Sequence, residues 1–247
     1  MSTSTDEHLF VSDLHLSPER PAAVALFRAF LAGRARGAAR LYILGDLFDA
    51  WIGDDDDTSP YPEIRAALEE LGAAGTRCHL IHGNRDFLIG RAFARGTGCR
   101  LLREATVVDL AGERVLLMHG DRLCTDDVAY QRFRRRIRNP LAKRLFLWRS
   151  LAWRRGLAAD YRRRSGAATA AKTDAIMDVN QKAVMRAMRR HATTRLIHGH
   201  THRPADHRFV LDGRPAVRHV LAEWHDDQGE VLVCDGESWW REPVRGA

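Results

Sequence analysis

Short aliphatic runs recur along the first half of the chain, separated by longer segments in which apolar residues return every three or four positions. Leu9–Val11, Leu41–Leu44 and His79–Ile81 read as buried strands, because short runs rich in Leu, Ile and Val suit a sheet covered on both faces. Arg20–Arg36, Ile64–Leu71 and Phe87–Arg95 read as the amphipathic helices between them. The alternation stops after a further strand at Val115–Met118. Residues 126–190 then read as almost wholly helical, with Pro140, Gly156 and Gly166 as breaks. Strands return at Arg195–Ile197, Ala216–Leu221 and Val231–Cys234. The pattern predicts an α/β fold interrupted by a helical insertion. A chain of 247 residues can bury one substantial core with a small lid. Residues 1–247 are therefore read as one unit, with a helical cap at about 126–174.

Five of the strand-like runs end in side chains that bind metals: LFVSDLH, LYILGD, HLIHGN, VLLMHGD and RLIHGHTH. A buried run that stops at a polar donor is how an open sheet builds a site along its carboxyl edge. The donors are Asp13, His15, Asp46, Asn84, His119, His200 and His202. Two divalent cations about 3.5–4 Å apart need a bridging carboxylate, with imidazole, amide oxygen and carboxylate in the other positions. Asp46 is the natural bridge, since each of its oxygens can face one cation. Asp13 and His15 are two apart, as are His200 and His202, a spacing that puts both side chains on one face of a regular strand. Asn84 adds a neutral oxygen, which limits negative charge and leaves room for a phosphate. His82 and His198 point away from the donor face and read as packing or supporting groups, and His79 as a packed one. Asp86 is placed to cap the helix that follows it.

Charge and composition narrow the partners. The formal charge of +7 is concentrated between Arg132 and Arg164. There Leu141, Leu145, Phe146, Leu147, Trp148, Leu151 and Trp153 interleave with the basic residues, a composition suited to lipid or acyl chains at an interface. Nucleic-acid surfaces rarely carry so continuous an apolar stripe. The acidic run Asp54–Asp57 reads as a solvated loop and not as further metal ligands. No apolar run reaches the roughly 18–20 residues of a membrane span, and the first residues lack a secretory pattern. Cys78, Cys99, Cys124 and Cys234 show no paired spacing and read as reduced thiols of a cytosolic protein.

The blocks D-x-H, G-D, G-N-R-D, H-G-D and G-H-x-H, in that order, resemble the calcineurin-like metallophosphoesterases. The phrases DAWIGDDD, LCTDD and IMDVNQ are similar to one family among them, the UDP-2,3-diacylglucosamine pyrophosphatases of lipid A biosynthesis. That resemblance implies an αββα two-layer β-sandwich flanked by helices, with a helical cap and two Mn²⁺ per subunit. Asp13, His15, Asp46 and His202 would hold the first ion, and Asp46, Asn84, His119 and His200 the second. Substrate-contacting positions fall on Asn84, Arg85, Asp127, Ser165, Thr169, Lys172 and His200. Thr169 departs from the family's Asn, and a hydroxyl cannot replace both functions of an amide. From sequence alone Lys172 is either a diphosphate contact or a surface lysine.

The implied reaction is attack by a metal-bridging water, held by Asp46, on the α-phosphorus of the nucleotide, with Arg85 stabilising phosphoryl charge. The products would be UMP and the diacylated sugar 1-phosphate. The implied partners are a lipid-linked nucleotide sugar and the anionic cytoplasmic face of the bacterial inner membrane, where the protein would be peripheral. No nucleic acid is expected and no protein partner is inferred. A phosphodiesterase or nuclease of the same superfamily is the nearest alternative. A non-catalytic scaffold is the remote one.

Overall fold

The computed structural model describes residues 5–170 and 178–246, with side chains in all but residues 5 and 162–170. Two sheets form the centre. The first has six strands in the order β11–β10–β1–β2–β3–β4: β1 (Thr5–Val11), β2 (Ala38–Ile43), β3 (Arg77–Leu80), β4 (Arg100–Leu101), β10 (Gln228–Cys234) and β11 (Trp239–Arg245). The second has five in the order β5–β6–β7–β9–β8: β5 (Ala105–Leu110), β6 (Glu113–Met118), β7 (Arg195–His198), β8 (Ala205–Leu211) and β9 (Arg214–Val220). β1, β2, β3 and β4 run parallel, as do β6, β7 and β9.

Period-two alternation decides what lies where. Phe10, Tyr42, Leu44, Ile81 and Leu232 of the first sheet pack against Leu110, Val115, Leu117 and Ile197 of the second. Their sequence neighbours Leu9, Val11, Leu41, Ile43 and Leu80 point the other way. They meet α1 (Pro21–Ala32), α2 (Tyr61–Ala73) and α3 (Arg91–Thr97). The outer face of the second sheet, through Leu116, Met118 and Leu196, is covered by Val184 and Met188 of α7 (Gln181–His191). This is the αββα sandwich expected from the sequence. The four cysteines are buried thiols.

Between β6 and β7 the chain makes a 3₁₀ turn (Asp121–Leu123), then α4 (Val128–Ile137), α5 (Pro140–Leu147) and α6 (Leu151–Ala170) before reaching α7. Pro140 does open a helix, as its fixed φ favours. Gly156 and Gly166 are not breaks, because α6 runs through both. Strands β4, β5, β8 and β11 carry no clear apolar run. β4, β5, β8 and β11 are the edges of their sheets, where polar side chains such as Arg208 and Arg241 replace the buried pattern.

The helix expected at Phe87–Arg95 begins only at Arg91, and Asp86 does not cap it. The cap comes from Asp54, whose carboxylate accepts hydrogen bonds from Gly90 N (2.8 Å), Ala92 N (2.9 Å) and Phe93 N (3.0 Å). The acidic run is therefore solvated only in part: Asp55 and Asp57 are exposed, whereas Asp54 and Asp56 are tied into the fold. Asp55 pairs with Arg154 of α6, and Asp56 accepts from Arg155 at 2.7 Å and Thr58 Oγ1 at 2.7 Å. Arg154 is only 2 % exposed and also donates to Ile52 O at 2.7 Å. The loop anchors the insertion.

Candidate metal centre

Each donor stands just past the carboxyl end of a parallel strand: Asp13 and His15 after β1, Asp46 after β2, Asn84 after β3, His119 after β6, and His200 and His202 after β7. The two sheets present these ends at a shared edge. Asp13, His15 and His202 place ligand atoms within 4.8 Å of one another, and so do Asp13, Asp46 and His119.

The local backbone differs from a regular strand. Asp13 (φ 54°), His15 (φ 49°), Asp46 (φ 54°), His200 (φ 71°) and His202 (φ 54°) are all left-handed. Non-glycine residues reach this region at a cost of order 1–3 kcal/mol each and persist only where their surroundings over-determine them. Here they do. Asp13 N donates to Gly45 O (3.1 Å) and His15 N to Asp46 O (3.0 Å), so two tight turns, not strand alternation, aim both side chains inward. Asp86 is buried between the loops and accepts from Gly83 N (2.7 Å) and Leu47 N (2.8 Å), which ties the Asn84 loop to the Asp46 loop. Two glycines are required by close approach. A Cβ on Gly83 would lie 2.0 Å from Asp46 Oδ1, and one on Gly199 2.1 Å from Asp13 Oδ2.

Hydrogen bonds fix the imidazoles so that their second nitrogens converge. His119 Nδ1 donates to Leu44 O at 2.9 Å, which turns Nε2 toward Asn84 Oδ1 (2.9 Å) and Asp46 Oδ2 (3.7 Å). His202 Nδ1 donates to Glu223 Oε2 at 2.9 Å, which turns its Nε2 toward Asp13 Oδ1 (3.4 Å) and His15 Nε2 (3.3 Å). The other oxygen of Asp13 accepts from Ser12 Oγ (2.6 Å) and His200 N (2.8 Å). The His200 ring lies 5.0 Å from that of His119 and stacks at 6.2 Å on Tyr130.

This clustering of oxygen and imidazole nitrogen atoms fits cations. Asp13 Oδ1 is buried without a hydrogen-bond partner, and the Nε2 atoms of His15 and His202 face each other at 3.3 Å. Burial would raise the Asp13 carboxyl, but His202 beside it and the neighbouring His119 and His15 hold it well below the usual range. Asp46 is pushed up to about 7 by burial, only partly relieved by His119 and reinforced by Asp86 and Asp13. Burial depresses His15 to about 4, and burial with the neighbouring His119 does the same for His200. Burial opposes protonation of His202 too, but Asp13 and Glu223 raise it to about 10. Imidazole nitrogens and carboxylate oxygens converging at this spacing are the donor set of divalent metals.

A sequence profile of the calcineurin-like phosphoesterases matches residues 8–204. A protein named UDP-2,3-diacylglucosamine hydrolase from Serratia proteamaculans is 54% identical over 91% of this chain and 94% of its own. One of the same name from Escherichia fergusonii is 52% identical over the same shares. The chain belongs to the UDP-2,3-diacylglucosamine hydrolase family of calcineurin-like phosphoesterases. Among solved structures, an archaeal phosphodiesterase is similar with a TM-score of 0.49 at 10% identity, covering 96% of this chain and 99% of that one.

Other positions singled out in this phosphoesterase are placed as follows. Arg85 N donates to Asp46 Oδ1 at 2.8 Å, and its guanidinium meets Asp49 at 2.8 Å on the rim of the centre. Asp127 caps α4, accepting from Tyr130 N at 3.0 Å. Ser165 and Thr169 lie on the α6 backbone with side chains outside the description, and Lys172 lies outside the described residues. His82 bonds Ile89 O at 2.8 Å and His198 bonds Gly199 O at 2.8 Å, away from the donors.

Three functional neighbours escaped the sequence reading. Glu223 sits in a loop with no motif around it. Asp121 belongs to the H-G-D block but carries no donor role. It accepts from Tyr130 Oη (2.8 Å), Arg134 Nε (2.7 Å) and Arg138 (3.3 Å), all on or beside α4. Arg138 also donates to Gly83 O at 2.6 Å, so the insertion is bonded directly to the residue before Asn84.

Proposed function

We propose that this hydrolase cleaves the diphosphate of UDP-2,3-diacylglucosamine by attack of water on the α-phosphorus, giving UMP and 2,3-diacylglucosamine 1-phosphate in lipid A biosynthesis. The observation that carries the reading is the convergence of the donor side chains from five strand ends at one edge, in a chain 54% identical to a hydrolase named for that substrate. Asp13, His15, Asp46 and His202 would hold one divalent ion and Asp46, Asn84, His119 and His200 a second, with Mn²⁺ as the working metal. Bound ions supply Lewis acidity, acidifying a shared water and polarising phosphoryl oxygens.

The protein's own groups do the rest. Asp46, fixed by the amide of Arg85, holds the attacking water between the two donor sets. Arg85 stands at the rim with a planar fork suited to two phosphoryl oxygens. Glu223 fixes the tautomer of His202. Asn84, Asp127, Ser165, Thr169, Lys172 and His200 would contact the substrate.

The chain would act as one metallophosphoesterase unit with the segment 126–174 as its cap. Trp148 (84% exposed), Leu141 (70%) and Leu145 (61%) favour contact with acyl chains and an anionic bilayer. No helix among the described residues is long and apolar enough to cross a membrane. We therefore assign the protein as peripheral, on the cytoplasmic face of the inner membrane. Hydrolysis in ¹⁸O-water tests the chemistry. Label in UMP is expected, and label in the sugar 1-phosphate would overturn α-attack.

A further inference from the structure

A cavity of about 200 Å³, walled in part by Pro204 and Ala205, lies at the carboxyl ends of β7 and β9. It is lined by Asp178 ahead of α7, Thr201 and Arg203 from the loop bearing His200 and His202, His207 of β8, and Arg218 and Val220 of β9. Arg218 pairs with Leu196 across the ladder, and Leu196 faces α7. The guanidinium therefore projects to the helix side of the second sheet.

Arg218 is a buried cation with no carboxylate in direct contact, and Asp178, across the same cavity, is the nearest charge that favours it. It is 6% exposed, its Nε has no hydrogen-bond partner, and no carboxylate among the described residues lies within ion-pair reach of it. Its NH1 meets only His198 Nε2, at 3.4 Å. That nitrogen is a neutral acceptor, because His198 donates through Nδ1 to Gly199 O. The carboxylate of Asp178 is directed to Arg203, at 3.7 Å. Buried charges are ordinarily paired or bind a ligand.

We propose that this cavity is an oxyanion site that takes a phosphate group between Arg218 and Arg203. The planar fork of arginine matches two phosphate oxygens, and Thr201 and His207 add donors at the wall. Sites for drug-sized ligands run to about 300–1,000 Å³. A cavity of about 200 Å³ admits a phosphoryl group and leaves a nucleoside outside. The occupant is inorganic phosphate or the phosphoryl end of a nucleotide. Thr201 stands between two metal donors, so the occupant shares a loop with the metal centre without being part of it.

Equilibrium dialysis of labelled inorganic phosphate against the full-length, Mn²⁺-loaded protein tests this, comparing wild type with Arg218→Met. Wild type should bind one phosphate more per chain than the variant. The phosphate retained at the metal centre reports that the variant is folded. Equal counts in the two proteins overturn the proposal. If Arg218→Met loses both phosphates through misfolding, Arg203→Met, with a side chain 45% exposed, keeps the fold and should weaken the cavity's phosphate about tenfold. Unchanged affinity in that variant also overturns it. Unlabelled UMP forms the second arm. Displacement of the Arg218-dependent phosphate assigns the site to a nucleotide phosphoryl group, and retention assigns it to inorganic phosphate.

Discussion

The strand-end loops and the helical insertion are held by different forces. The loops are buried, with Asp13, Asp46, Asp86 and His119 almost fully enclosed, and backbone hydrogen bonds pin them to one another. Of α4 and α5, by contrast, the single buried side chain is Arg134. The insertion is attached through arginines: Arg134 to Asp121 and Glu104, Arg138 to Asp121 and Gly83 O, Arg154 to Asp55, and Arg155 to Asp56. A site that must keep metal donors in place is built on packing and backbone. The insertion is clamped by polar contacts, which can be broken and remade without opening a core.

The largest effect should come from the loops. Asp46→Asn should lower kcat by roughly 10³-fold or more, since several kcal/mol of phosphoryl stabilisation are lost, while circular dichroism shows an intact fold. Wild-type turnover would mean the bridge is elsewhere. The same variant has a pH signature in metal-free protein. The folded pKa of Asp46, about 7, lies above the ordinary aspartate value of 3.8, so the folded state binds the proton more tightly. That contribution is present below about pH 4 and lost as pH rises through 7. The stability of wild type relative to Asp46→Asn should fall over that window in denaturant titrations, and a flat difference would contradict the burial described.

Asp121→Asn probes the joint between the two regions. It leaves buried Arg134 and Arg138 short of a counter-ion, and should destabilise by about 3 kcal/mol, read from urea midpoints. A loss confined to the insertion, seen as cleavage in α4–α6 with the sandwich intact, would sharpen the division. Glu223→Gln should weaken metal affinity by about 10–100-fold, measured by competition with a chelator, with the fold unchanged. Unaltered affinity would remove Glu223 from the centre. The smallest effect is expected for Arg155→Ala. Its half-exposed pair with Asp56 should contribute little to stability, and less as salt is added. A large, salt-independent loss would show the exposed contacts to be less screened than their positions suggest.

The sequence and the structure part company where information is three-dimensional. Gly45-Asp46 and Gly83-Asn84 were legible because donor type and glycine stand side by side at the end of an apolar run. The turns at Asp13 and His15 were not: spacing suggested a strand, whereas hydrogen bonds to Gly45 O and Asp46 O make left-handed turns with the same outcome. Edge strands such as β8 carry too many polar residues to announce themselves. The role of Asp54 depends on the distant amides of Gly90, Ala92 and Phe93, and that of Glu223 on His202, pairings that no local pattern encodes.

The arginine clamps also change how the molecule would meet a lipid surface. A polycation of formal charge +7 suggests a broad basic face, yet Arg134, Arg138, Arg154 and Arg155 are already matched by carboxylates. Among the described residues Arg132, Arg135 and Arg136 along α4 remain exposed, as do Arg144 and Arg149 at the α5–α6 corner beside Trp148 and Leu145. Any anionic surface would therefore meet these unclamped arginines and the Trp148 corner, and not the arginines that hold the insertion.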